Sequence, residues 1–338
     1  MSGFLKRLIF FLKGGIPTIA KYEARRDALE KKFEKYNALK ASDAMLRYYE
    51  LAAQIFTPRR QSGLSKSERK RMKQELTLLR KSAEVVDFFK LQKSSRNFHA
   101  ITDWELAFED TFNGSALDAD KWITCPYAAG RELLYSSAEE NHLYTDGANV
   151  SVANQSLKIV TKSEHATGLV FGKGVGFVNA ERNFTSGIVN TGKSYAQQYG
   201  KIEAKIRFSS PSKNIYHTMW LSTQRMLPHI NVVRIGAKVE LSVCAQGALQ
   251  DEVEKYVDLW RRRTLKQNTP YVVALEWNEQ TITWKVNGAT LFTAPNVVKE
   301  PMYIGFSSGL TGKYNRSTPA VFEVDWVKAY RRHEQAAV

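Results

Sequence analysis

Near residue 240 the chain reads Val239-Glu240-Leu241-Ser242-Val243-Cys244, polar and apolar residues in strict alternation. On a β-strand alternate side chains share a face, so Glu240, Ser242 and Cys244 project to one side and Val239, Leu241 and Val243 to the other. Positions i and i+4 of such a row aim two functional groups into one cleft from a single strand. A carboxylate there can attack a carbon or move a proton. A thiol is shorter than a glutamate, and with an unperturbed pKa near ~8.5 it is a weak proton donor at neutral pH. No His–Asn pairing stands beside Cys244 in the sequence, so it reads as a small, partly buried filler and not as a nucleophile. Glu240 is the one carboxylate of the row. Its plain alternative is a cleft-facing glutamate held by a neighbouring Arg or Lys.

The elements that must carry this row divide the chain unevenly. It has 338 residues, 43% apolar and 12% aromatic, enough for a globular core and more than one typical domain needs. Two cysteines, Cys125 and Cys244, exclude a disulfide scaffold and a four-cysteine zinc site. Of the net charge of +15, residues 1–100 carry +13, from 23 Lys and Arg against 10 Asp and Glu. A nearly neutral remainder follows. One large domain, residues 101–338, preceded by a basic appendage, residues 1–100, is the expected organisation.

In the appendage, the apolar stretch Leu8–Leu12 stops at Lys13 and Gly14-Gly15, too short for a conventional signal peptide. No run reaches the roughly 18–20 apolar residues of a transmembrane helix. Leu29, Phe33, Tyr36, Leu46, Tyr49, Ala53 and Phe56 recur at helical spacing from Ile19 to Phe56. Ser65-Lys66-Ser67-Glu68 reads as a capping box opening a further helix, with Met72, Leu76, Leu79, Ala83, Val86 and Phe89 as one seam. A basic helical hairpin or coiled coil is expected there, for attachment to an anionic surface, another protein or another copy. No helix-turn-helix, zinc-finger or RNA-recognition signature accompanies the charge, so specific nucleic-acid recognition is not expected.

After about residue 100 the period becomes two. Lys201 to Phe208 alternates as a half-buried strand; Tyr271–Trp277 and Thr281–Val286 read as strands joined onward by Asn287-Gly288, a type I′ hairpin signal. Ala320 to Tyr330 closes the chain as a long strand. Many strands with almost no helix between them predict a two-sheet, mainly β jelly roll.

At this point the residues resemble a family. Phe108-Glu109-Asp110-Thr111-Phe112-Asn113-Gly114, Leu117-Asp118 and Lys121-Trp122 are similar to the opening of glycoside hydrolase family 16. Asn149–Val152, Leu157–Ile159, Ser186-Gly187, Tyr199–Ile206, Met219–Leu221, Ala274–Trp277, Trp284–Gly288 and Val324–Lys328 follow in the family's order, so the resemblance spans roughly residues 104–331. It implies a concanavalin-like β-sandwich with a glycan cleft on its concave face, and a β-linked polysaccharide or oligosaccharide as ligand.

The family carries Glu-x-Asp-x-Glu on its catalytic strand: a nucleophile, an intervening Asp, and an acid/base. Retaining hydrolysis needs the outer carboxylates about 5–5.5 Å apart. By that resemblance Glu240 takes the nucleophile position, Ser242 the middle Asp and Cys244 the acid/base, with Gly247 closing the strand. Loss of a positioned acid forfeits about 10²–10⁴-fold in rate. Tyr216, Trp220, Trp260, Trp277 and Trp284 are candidate sugar-stacking platforms, with Tyr216 and Trp220 beside the expected cleft strand first among them, and the resemblance places Arg131 and Glu132, beside Tyr135, as substrate contacts. Trp277 is expected in the core. Asp325 matches a position that holds structural calcium in some relatives; no cofactor is otherwise required.

Three functions are open on sequence alone. The first is a catalytically impaired, glycan-recognising domain displayed on the helical arm. The second is an active endo-β-glycanase using Glu240 with another acid, such as Asp251 or Glu252. The third is a structural component of a virion or cell surface, docked by the arm.

Overall fold

The computed structural model describes residues 15–58, 61, 63–209, 214–236, 238–244, 258–261, 265–312 and 319–333. The chain divides into two compact units, one running from Ala20 to Trp104 and the other from Glu105 to Arg332; residues 15–19 group with the second.

The first unit is helical. Helices α1 (Ile19–Lys40), α2 (Asp43–Phe56), α3 (Lys66–Leu79) and α4 (Ala83–Gln92) form in turn. The expected capping box is present: the Ser65 hydroxyl accepts from Glu68 N, and the Glu68 carboxylate accepts from Ser65 N. Two breaks interrupt the continuous periods read from sequence. Ser42 caps α2 and Ser82 caps α4, each side chain accepting the backbone N–H three residues on. The second cap resets the helical phase. Val85 and Phe88 are therefore buried with Met45, while Val86, expected in the seam, is exposed. Leu76 does lie in the seam, packed on Leu51 and Ile55 of α2, so its partner is within the same chain.

The second unit is the expected mainly β jelly roll of two sheets. Across the larger lie Ala289–Pro295, Thr281–Val286, Tyr271–Trp277, Gly200–Phe208, Ala320–Arg332, Leu157–Gly172 and Gly176–Ser186. Across the other lie Met302–Leu310, Ile215–Ser222, His229–Ile235, Lys238–Cys244 and Asp258–Arg261. Asn287 and Gly288 both hold positive φ, as the hairpin turn demands. The core fills the space between the sheets: Ile202, Ile206, Leu275, Trp284 and Val324 from one meet Met219, Leu221, Leu241, Val243 and Phe306 from the other. Trp277 is buried there too.

That packing sets the outer face of the second sheet. Because Met219 and Leu221 point into the core, Tyr216, Thr218, Trp220 and Ser222 sit on a strand whose other side is committed to it. The neighbouring strand reaches the same face by an irregular route. His229 and Asn231 pair with Cys244 and Ser242, then the register shifts, and Arg234 pairs with Glu240. Val232 and Val233 both turn into the core at this bulge, and Arg234 is thereby brought to the outer face beside Asn231.

Candidate functional site: an aromatic cavity beside the Glu240 strand

Two glycines on Met302–Leu310 make the site possible. A Cβ at Gly305 would come within 2.2 Å of the Trp220 ring, and one at Gly309 within 2.5 Å of the Tyr216 hydroxyl. Only hydrogen at these positions lets the two rings lie flat across the strand. The cavity above them has a volume of about 230 Å³. Its walls include Tyr127, Tyr144 and Tyr303, with Glu140, His229, Asn231 and Arg234 as its polar groups.

One end is built around a carboxylate. Tyr216 Oη donates to Glu140 Oε1, and His142 Nε2 lies 3.6 Å from Glu140 Oε2. His142 Nδ1 accepts the Leu310 N–H at 3.1 Å, so in the neutral ring the proton sits on Nε2, facing Glu140. Burial holds the His142 pKa below its ordinary value and pushes the Tyr216 phenol well above its own, so both remain neutral; Tyr216 is the one that donates to Glu140, His142 Nε2 standing just beyond hydrogen-bond reach. The Arg234 guanidinium carbon stands 3.6 Å from the Tyr216 ring centroid, a cation over a π face.

The other end is a hydrogen-bond relay onto the Glu240 strand. His229 stacks on Trp220 with centroids 5.5 Å apart, and burial pushes its pKa down to about 4, leaving the imidazole neutral. His229 Nε2 and Asn231 Oδ1 are 3.3 Å apart; Asn231 Nδ2 donates to Ser242 Oγ at 2.7 Å; Ser242 Oγ donates to Glu240 Oε1 at 3.0 Å. Ser242 thus spends its one proton on Glu240, and each bond polarises the next. The imidazole and amide missing near Cys244 in sequence are supplied by this neighbouring strand. Cys244 is directly opposite His229 in the ladder, where facing Cβ atoms lie roughly 4.5–5.5 Å apart.

The residues expected at a site do not all converge. Tyr216 and Trp220 line the cavity; Glu240, Ser242 and Cys244 form the adjacent row and are not among its described lining residues. Arg131 and Glu132 form a small exposed ladder with Ala128 and Tyr127, Glu132 pairing with Lys193 at 2.7 Å, and it is Tyr127 and Tyr135 that reach the cavity. Trp260 lies on the strand Asp258–Arg261, its backbone opposite Val239; its side chain is outside the described residues, as are Asp251, Glu252 and Gly247. Asp325 accepts from Ser156 Oγ at 2.8 Å, and Lys205 Nζ stands 4.0 Å from its other oxygen. An ammonium there is a poor neighbour for calcium. No cluster of three His, Cys, Asp or Glu side chains able to hold a metal occurs among the described residues. Cys125 and Cys244 are both thiols, Cys125 with its pKa pushed up to about 11 by burial.

Glu140, His142, His229, Asn231 and Arg234 carried no motif in the sequence. Glu140 meets Tyr216 across 76 residues, and nothing local marks that contact.

Comparison with known proteins agrees with this architecture. A curated relative, glucan endo-1,3-beta-glucosidase A1 of Niallia circulans, is 23% identical over 69% of this chain; the chain spans 38% of that relative's length. The laminarinase catalytic domain of Thermotoga maritima superposes with a TM-score of 0.54 at 17% identity, covering 69% of this chain and all of that one. The kappa-carrageenase of Pseudoalteromonas carrageenovora does so with a TM-score of 0.54 at 20% identity, covering 67% and 94%. At these identities the structural likeness is one of fold. The sequence pattern of Glycosyl hydrolases family 16 matches residues 137–328, more than half of the molecule, and the chain belongs to that family.

Proposed function

We propose that the β unit recognises a β-linked glycan and hydrolyses it poorly or not at all, and that the basic helical unit attaches it to a larger body. One observation carries the first part. Of Glu240, Ser242 and Cys244 on the outward side of the Lys238–Cys244 strand, only Glu240 bears a carboxylate, and a retaining mechanism needs two. A thiol opposite a neutral imidazole is no substitute for a carboxylic acid of raised pKa as donor to a leaving oxygen. Recognition is supported by the cavity, whose aromatic wall includes Tyr127, Tyr144 and Tyr303 and where Glu140, Asn231 and Arg234 offer groups for hydroxyls; Tyr216 and Trp220, the expected platforms, line it with their faces already taken by Arg234 and His229. The glucanase and carrageenase among its relatives make β-glucans and galactans the first ligands to try.

Attachment is supported by charge. Lys66, Arg69, Lys70 and Lys73 recur on one side of α3, a stripe suited to an anionic surface. A virion or cell-surface assembly is one setting in which such an arm would serve.

Full-length protein mixed with laminarin or carrageenan separates the readings. Binding by calorimetry without reducing-sugar release is expected. Turnover at on the order of 1–10³ s⁻¹, abolished by Glu240→Gln, refutes impairment and favours an endo-β-glycanase with Glu240 as nucleophile. Binding of neither glycan class leaves the structural role.

A further inference from the structure

One feature of the β unit is not used by glycan recognition: an apolar surface that begins in the cavity wall and continues into solvent. Tyr135 and Met226 line the cavity, with Tyr135 Oη 3.2 Å from Met226 Sδ. Outward, Tyr135 packs edge-on against Phe177 at 5.2 Å and Phe171 at 6.3 Å between centroids. Phe171 and Phe177 are directly opposed across the hairpin of Leu157–Gly172 and Gly176–Ser186, so both project on the face that meets Tyr135. Neither ring is covered: Phe171 is 41% and Phe177 49% exposed, and Met226 is 46% exposed. Isolated exposed apolar residues need no explanation, whereas a contiguous group at the mouth of a pocket does.

We propose that cavity and hairpin form one site for an amphiphilic glycoside, a sugar carrying an alkyl or acyl aglycone, the sugar in the cavity and the chain lying over Phe171 and Phe177. The proposal rests on the glycan-recognition reading and names its ligand class. Two observations point to that ligand. The cavity, about 230 Å³, is below the roughly 300–1,000 Å³ of sites that enclose a whole drug-sized ligand, so anything beyond a sugar unit must leave it. The surface continuous with the Tyr135–Met226 wall offers rings and a thioether. A second sugar there could lay only its C–H face on the rings, its hydroxyls finding no donor or acceptor in the two Phe side chains, whereas every methylene of an alkyl chain gains from the contact. Polar anchor and apolar track are therefore matched to the two ends of one molecule.

The test uses the full chain and matched probes below micelle concentration: methyl and octyl β-glucoside, methyl and octyl β-galactoside, and 1-octanol. Affinities are read by calorimetry. For at least one sugar the octyl glycoside is expected to bind at least tenfold more tightly than the methyl glycoside, the effect of about two fully buried methylenes. The double substitution Phe171→Ser with Phe177→Ser, on exposed positions outside the cavity, should bring the octyl affinity down to the methyl value and leave the methyl value unchanged. Equal methyl and octyl affinities, or an octyl gain that survives the double substitution, overturn the proposal while leaving glycan recognition intact. Octanol binding as tightly as octyl glycoside also overturns it, as does sugar-independent binding to phosphatidylcholine vesicles, which would make the hairpin a membrane contact. If no glycoside of either kind binds, glycan recognition and this inference fall together.

Discussion

Replacing Ser242 by aspartate should make the stability of the β unit depend on pH in a way the parent's does not. Ser242 is 1% exposed, with Oγ 3.0 Å from Glu240 Oε1 and 2.7 Å from Asn231 Nδ2. Aspartate keeps an acceptor for Asn231 but removes the donor to Glu240 and sets a second carboxylate beside it. Two unit charges about 4 Å apart at an effective dielectric near 20 repel by about 4 kcal/mol, the equivalent of about three pK units. Asn231, and Arg234 opposite Glu240, offset part of this. The pair's second proton is therefore held more tightly in the folded variant than in the unfolded chain. The folded pKa is raised and the group is an acid, so the variant is penalised above that pKa and recovers as pH falls toward the unfolded value. Relative to the parent, Ser242→Asp should lose about 2–3 kcal/mol at pH 7.5, and that gap should narrow by about 2 kcal/mol near pH 4.5. Urea denaturation followed by tryptophan emission measures this, since six of the seven tryptophans lie between Glu105 and Arg332. A gap of equal size at both pH values would show that the carboxylate at 242 does not meet Glu240, and the side-by-side placement of the two side chains would be refuted.

Combining Ser242→Asp with Cys244→Glu restores the family's carboxylate pattern and should yield detectable laminarin or galactan hydrolysis where the parent shows none; continued inactivity on a glycan the parent binds would locate the defect in the cleft and not in the acid. Tyr216→Phe removes a buried donor to the Glu140 carboxylate and should cost about 1.5–3 kcal/mol in urea denaturation, with weaker glycoside binding; a change under about 0.5 kcal/mol would mean the bond is not formed in solution. Within the helical unit, Leu51→Ala, fully buried on Leu76, should cost about 2–5 kcal/mol in a denaturation followed by helical circular dichroism, whereas Arg47→Ala, whose pair with Glu75 is solvent-accessible, should change stability far less. The reverse order would contradict the packing of α2 on α3.

The features legible in the sequence were those written in short stretches of chain. The capping box at Ser65 and Glu68, the Asn287-Gly288 turn and the strand Tyr271–Trp277 each depend on residues within a few positions of one another. The helical seam was half legible. Its apolar spacing was real, but Ser82 and Ser42, whose hydroxyls compete for backbone N–H groups, broke the helices and shifted the buried face from Val86 to Val85 and Phe88.

By itself the sequence determined the fold class and the outward row of Glu240, Ser242 and Cys244. Strand periodicity is a property of consecutive residues, and a hydrophobic core on one side leaves the other side no freedom. Tertiary structure alone decided what that row faces. The bulge at Val232 and Val233 turned Arg234 outward, the ladder set His229 opposite Cys244, and the loop before Leu143 carried Glu140 to Tyr216. Each of these contacts joins side chains whose neighbours in sequence give no sign of it, because it is backbone pairing and core volume, settled across the whole sandwich, that bring them together.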